Sequence, residues 1–155
     1  MDFRITGLRP EPFAPLFGLD EAALTRRGAR RVIADRQPGF PDRVELRDAA
    51  PGEALLLVNY AHLPVATPYR SAYAIYVLEG AHERYDRINT VPKAFRSRLM
   101  SLRAFDAEDM LREADVIGGA DLEELIQRLL ADAHVRYVHA HYAKPGCFAA
   151  CIERA

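Results

Sequence analysis

Residues 135–153 read Val135-Arg136-Tyr137-Val138-His139-Ala140-His141-Tyr142, then Ala143-Lys144-Pro145-Gly146, then Cys147-Phe148-Ala149-Ala150-Cys151-Ile152-Glu153. Two runs of strand-forming residues bracket a proline followed by a glycine. Proline presets the φ of one turn position, and glycine supplies the positive φ that a type II turn needs at the next. The stretch therefore predicts a C-terminal β-hairpin, with 135–142 antiparallel to 147–153. A hairpin here argues for an antiparallel sheet.

Upstream, Leu122, Leu125, Ile126 and Leu129 recur at helical spacing and predict a helix over 121–130. Asp121 and Glu124 stand at capping-box spacing in front of it. Strands on both sides of this helix suggest a crossover connection, right-handed if those strands are parallel. Residues 54–60 form a nearly continuous apolar run, as a central strand covered on both faces requires. Arg43-Val44-Glu45-Leu46-Arg47 alternates and predicts a half-buried strand. Further strands are expected at 3–5, 31–34, 72–78, 101–105 and 114–117. Asp20 suits the N-cap of a helix over 21–27, with Gly28 as its stop. The expectation is α+β: a single domain over 1–155, with a mostly antiparallel sheet of about seven or eight strands and two or three helices.

The 155-residue chain is a common single-domain length, and half of it is apolar. A net charge of −1 supplies no field that would draw the chain onto nucleic acid or a membrane. Only Lys93 and Lys144 among the 21 basic residues are lysine. A GC-rich coding bias accounts for that set as a whole, and bidentate recognition of carboxylates or phosphates holds only for individual arginines. Cys147 and Cys151 lie too far apart along one strand to bridge, and two free thiols fit a reducing compartment. With no signal peptide and no apolar run near the roughly 20 residues that span a bilayer, the expected location is cytoplasmic. Exposed strand edges leave a homodimer open.

The candidate chemistry centres on His139-Ala140-His141. Residues two apart on a strand point to one face, so both imidazoles project together. Two histidines at that spacing can share a metal, with His62 as a third ligand supplied by the fold, although satisfied polar residues beside a cleft are the simpler reading. Cys147 is a candidate nucleophile, and hairpin register decides whether it meets the histidines. If Tyr142 pairs with Cys147, the thiol points away from them. If His141 pairs with Cys147, all three share a face. In Pro68-Tyr69-Arg70-Ser71, Arg70 could clamp an anionic group while Tyr69 covers it. Arg103 needs a partner inside its strand, and Asp106 is the local choice. His82 to Asp86 reads as a solvated loop. No Gly-rich phosphate cradle, Cys-x-x-Cys pair or nucleophile elbow is present.

Along nearly its whole length the sequence resembles a bacterial family, domain of unknown function 1203. Phe3-Arg4-Ile5, Gly7-Leu8, Gly28-Ala29-Arg30-Arg31 and Pro38-Gly39-Phe40-Pro41 carry the resemblance in the first part of the chain. Asn59-Tyr60-Ala61-His62, Pro68-Tyr69-Arg70-Ser71, Leu102-Arg103-Ala104-Phe105-Asp106, His139-Ala140-His141 and Lys144-Pro145-Gly146-Cys147 carry it in the rest. The resemblance implies membership and no particular activity. Similar chains carry Cys at the position of Asp42 and Asn at that of Tyr142. The first departure weakens a thiol pair with Cys147, and the second a metal or proton relay beside His141.

The expected function is binding of a small molecule or anion in a cleft lined by His62, Tyr69, Arg70, Arg103, His139, His141 and Lys144. The alternative is an enzyme, metal-assisted through His62, His139 and His141 or thiol-dependent through Cys147. No cofactor is implied by any motif.

Overall fold

Alternating apolar positions sort the chain into two antiparallel sheets with helices laid against them. The computed structural model describes all 155 residues. Its elements are β1 (Phe3–Thr6), α1 (Glu21–Arg26), β2 (Arg30–Ile33), β3 (Ala54–Leu63), β4 (Ser71–Leu78), β5 (Asp86–Ile88), α2 (Lys93–Arg96), β6 (Leu99–Phe105), β7 (Leu111–Gly118), α3 (Leu122–Leu130), β8 (Tyr137–Tyr142) and β9 (Phe148–Arg154). A six-stranded sheet has the order β5-β1-β9-β8-β6-β7, and a three-stranded sheet has β2-β3-β4. Every pairing between these strands is antiparallel. Because β6 is antiparallel to both β7 and β8, those two run parallel, and α3 carries the chain between them. No helix is long and apolar enough to cross a membrane.

The expected hairpin forms between β8 and β9, with Gly146 at φ 78° in its turn. One face of β8 (Val138, Ala140, Tyr142) joins Met100 and Leu102 of β6 under the Leu122, Leu125, Ile126 and Leu129 stripe of α3. Each such buried side chain contributes about 1.5–3 kcal/mol of transfer free energy. A second core sets Leu56, Val58, Ile75 and Val77 of the small sheet against Leu24 of α1 and Phe13. Asp20 caps α1 as expected, its Oδ1 accepting from the Ala23 N–H at 2.7 Å.

Two expectations need correction, and two short elements were not expected. Residues 43–47 do not form a strand: Leu46 takes φ 53°, and the backbone there is irregular. Side chains replace the ladder. The Asp42 carboxylate accepts from the N–H groups of Glu45 and Leu78, and Asp42 and Arg43 are fully buried. Asp121 makes no capping bond, because a 3-10 turn over Gly119–Asp121 leads directly into α3. Finally, β5 and α2 have three and four residues, too short to leave a periodic signature.

The Asp42–Arg43 pair clamps the two sheets together. Asp42 accepts from Leu78 of β4, and the Arg43 N–H donates to the Tyr76 carbonyl of the same strand at 3.2 Å. The Arg43 side chain reaches the other sheet: Nε donates to the Phe148 carbonyl at 2.8 Å, Nη1 to the Pro41 carbonyl, and Nη2 to Cys147 Sγ at 2.8 Å. Its guanidinium also lies 4.8 Å from the centre of the Tyr142 ring. Gly7 lets β1 approach this loop, since a Cβ there would sit 2.3 Å from the Val44 carbonyl oxygen.

Arg43→Met strands these acceptors and is expected to lower the free energy of urea unfolding by about 3 kcal/mol or more. Arg36→Met removes an exposed ion pair with Asp35 and a guanidinium contact 5.2 Å from the Phe40 ring centre, and should cost about 1 kcal/mol or less. Equal losses in the two variants would contradict the clamp.

Candidate functional site

Strand alternation turns His139 and His141 away from the α3 core, onto the face of β8 that also carries Tyr137. Both are buried, at 6% and 1% exposure. Across β6 the partner of His139 is Arg103, and that of His141 is Ser101. Across β9 the partners are Cys151 and Phe148. The third imidazole comes from the small sheet. Beyond an irregularity between Tyr60 and Leu63, β3 delivers His62, which stacks on the Phe148 ring at 5.4 Å and 13°. His62 lies 5.0 Å from His141 and 6.2 Å from His139 between ring centres, and the two β8 histidines are 6.4 Å apart.

Burial keeps these rings neutral. It lowers the pKa of His139 to about 3, helped by His62 and Arg103. It also lowers that of His141 to about 3, helped by Arg103 and opposed by the Gly146 carbonyl. The His62 pKa is lowered by the same desolvation and by Arg103, opposed by the nearby Tyr60 backbone. His141 Nδ1 lies 3.0 Å from the Gly146 carbonyl, which only accepts, so this nitrogen carries the proton and Nε2 is bare. Nδ1 of His62 and Nδ1 of His139 are buried with no hydrogen-bond partner within the protein.

Arg103 supplies the charge. Half-buried, with its pKa lowered by desolvation, it makes no side-chain hydrogen bond and no ion pair in the structure. The expected pairing with Asp106 does not form, because Asp106 Oδ1 accepts from the N–H groups of Glu108 and Met110 at 3.0 Å each. An unpaired guanidinium therefore faces three neutral imidazoles.

The predicted site residues fall in three places. His62, Arg103, His139 and His141 converge, and Tyr69 reaches their edge through Phe105, 6.1 Å from its ring. Arg70 is exposed in the loop before β4, with no side-chain bond to the cluster. Lys144 and Cys147 lie elsewhere, lining a cavity of about 430 Å³ with Arg43, Arg98 and Tyr142. Hairpin register makes this division. Ala140 pairs with Ala150 but His141 with Phe148, leaving Ala149 as an extra residue, and the Tyr142 N–H donates to the Cys147 carbonyl at 3.0 Å. Cys147 thus shares the face of Tyr142, and Cys151 that of His139. Both thiols are free, and burial pushes that of Cys151 up to about 12.

Sequence reasoning missed Arg43, Arg98 and Tyr142. Arg98 pairs with Asp48 at 2.6 Å and lies 5.2 Å from the centre of the Tyr142 ring. Nothing local in the sequence marks Arg43 as buried or Arg98 as partly buried.

A profile of the family described as protein of unknown function, DUF1203, matches residues 39–154, well over half of the chain. The chain belongs to this family. The family region includes Asp42, Arg43, His62, Arg103 and the whole hairpin, so both the cluster and the cavity fall inside it. No curated protein and no solved structure matches the chain.

Depressed histidine pKa values make stability pH-dependent with a definite sign. Below pH 6.5 the unfolded chain binds protons at positions 139 and 141 that the folded chain refuses, so stability falls as pH falls toward 3. Between about pH 6.5 and 5, above most carboxylate titration, the slope is at most about 1.4 kcal/mol per pH unit for each histidine. Urea unfolding across that range should show this decline, and His141→Gln should flatten it. An unchanged slope in the variant would show that the imidazole is charged in the folded protein.

Proposed function

We propose that this family member binds a small oxyanion or carboxylate at the cluster of His62, Arg103, His139 and His141. A half-buried guanidinium without a carboxylate, set against two buried imidazole nitrogens without partners, carries this conclusion. Buried polar groups in folded proteins are almost always satisfied, and exceptions that meet at one place call for a partner the chain itself does not supply. An anion would accept from Arg103 and from Nδ1–H of His62 and His139, relieving all three at once. No group of three His, Cys, Asp or Glu is arranged to hold a metal ion, and the fixed charge of Arg103 opposes a dication. Cys147 shares a face with none of the histidines, so the thiol has no imidazole base beside it.

The test is thermal unfolding with added sulfate, which keeps its charge across the relevant pH range. Sulfate should raise the Tm of the wild type. Each charge-assisted hydrogen bond lost is worth about 1.5–3 kcal/mol, so Arg103→Gln should weaken binding by about tenfold or more. The titratable and charged groups on this face are His62 from β3, Arg103 from β6, Tyr137, His139 and His141 from β8, and Cys151 from β9, with the Asp109 carboxylate held by the Tyr137 hydroxyl at 2.7 Å. A bound anion favours imidazolium, so the sulfate-induced shift should grow as pH falls from 7.5 to 5.5. Equal stabilisation of wild type and Arg103→Gln, or a shift independent of pH, would place the anion elsewhere.

A further inference from the structure

The cavity of about 430 Å³ lies on the other side of the hairpin from the histidines, where the two sheets meet. Its size falls in the usual range for small-ligand sites, roughly 300–1,000 Å³. Leu57 and Tyr76 line it from the small sheet, and Leu99 from the large one. Its remaining chemistry is polar and one-sided. Arg43, Arg98 and Lys144 all line it, and no Asp or Glu does. Asp48 neutralises Arg98 from behind, while Lys144 is exposed and has no ion pair. Arg43 is 1% exposed and engages three protein acceptors, so its charge is fixed in place with no carboxylate against it.

Tyr142 supplies the observation that points to an occupant. It is 3% exposed, lines the cavity, and its hydroxyl has no hydrogen-bond partner. Guanidinium groups approach its ring from Arg43 at 4.8 Å and Arg98 at 5.2 Å, so the ring itself is well packed while the hydroxyl is not satisfied. Burial holds the phenol far above its usual range, so it keeps its proton and offers a donor.

We propose that this cavity is a second, separate binding site, built for a small carboxylic acid with an apolar body. The apolar part would lie against Leu57, Tyr76 and Leu99. The carboxylate would accept from the Tyr142 hydroxyl, within the positive field of Arg43 and Lys144. Cys147 forms part of the wall with its sulfur already accepting from Arg43. No histidine lines the cavity. This site shares no residue with the histidine cluster, so the two stand or fall independently.

Benzoate is a suitable probe, with acetate and benzamide as controls for the apolar body and the charge. Backbone amide NMR titration of the full chain should show benzoate perturbing residues 97–99, 144 and 146–148, acetate far less and benzamide far less. Tyr142→Phe should weaken benzoate at least fivefold while leaving the Tm of the unliganded protein unchanged or higher, since it removes an unsatisfied group and keeps the ring. Arg103→Gln should leave benzoate binding intact. Any of four results overturns the proposal: no perturbation of those amides, equal affinity for benzamide, undiminished affinity in Tyr142→Phe, or loss of binding in Arg103→Gln. The last would assign the benzoate to the histidine cluster instead.

Discussion

A buried guanidinium with no carboxylate partner sets the terms of this fold. Arg43 is held by two carbonyls, one sulfur and one aromatic ring, and every one of them must stay in place to keep the charge solvated. Isolated charges are too costly to bury in any other way. Its neighbour Asp42 is tied to β4, while Arg43 itself is tied to the first residue of β9. Two adjacent residues thereby fix the small sheet against the large one. Both places of interest depend on that fixed relation: His62 reaches the β8 histidines only because β3 crosses at this height, and the cavity exists only where the sheets meet.

One extra residue in β9 then decides which chemistry lies where. Cys147 and Cys151 are four apart and would share a face on a regular strand, but Ala149 interrupts the pairing and sends them to opposite faces. Cys147 goes with Tyr142 and the arginines; Cys151 goes with His139. The result is two polar environments separated by the thickness of one hairpin. On one side, neutral imidazoles gather around a single guanidinium. On the other, two guanidinium groups pack against a phenol. Each side leaves polar groups unsatisfied by the protein at its centre, a local inconsistency of the kind natural proteins keep at functional or strained sites.

Much of the architecture was legible in the sequence because the relevant signals are local. The Pro145–Gly146 turn, the α3 stripe, the Asp20 cap and the apolar run of β3 each depend on residues within about one element. Same-face projection of His139 and His141 follows from strand geometry alone, and His62 and Arg103 were named with them as lining one anion-binding cleft. The failures are instructive. Arg43-Val44-Glu45-Leu46-Arg47 has the period of a strand, yet Asp42 and Arg43 bind backbone groups more than thirty and a hundred residues away in sequence, which no local period encodes. The bulge at Ala149 is equally silent, because alanine is compatible with either register. Lys144 was grouped with the histidines on proximity in sequence, and the turn places it on the opposite side. Arg103, also named as a cleft residue, was given Asp106 as its local ion-pair partner, but the Asp106 carboxylate is already committed to its own turn.

The central claim is that an anion satisfies the buried imidazole nitrogens of the histidine cluster. Imidazole nitrogen NMR, recorded with and without sulfate, tests it most directly because it reads those atoms themselves. The account predicts that Nδ1 of His62 and of His139 become protonated, hydrogen-bonded nitrogens on saturation, while His141 keeps its proton on Nδ1 toward Gly146. Nitrogen shifts at positions 62 and 139 that do not respond to saturating sulfate would contradict it.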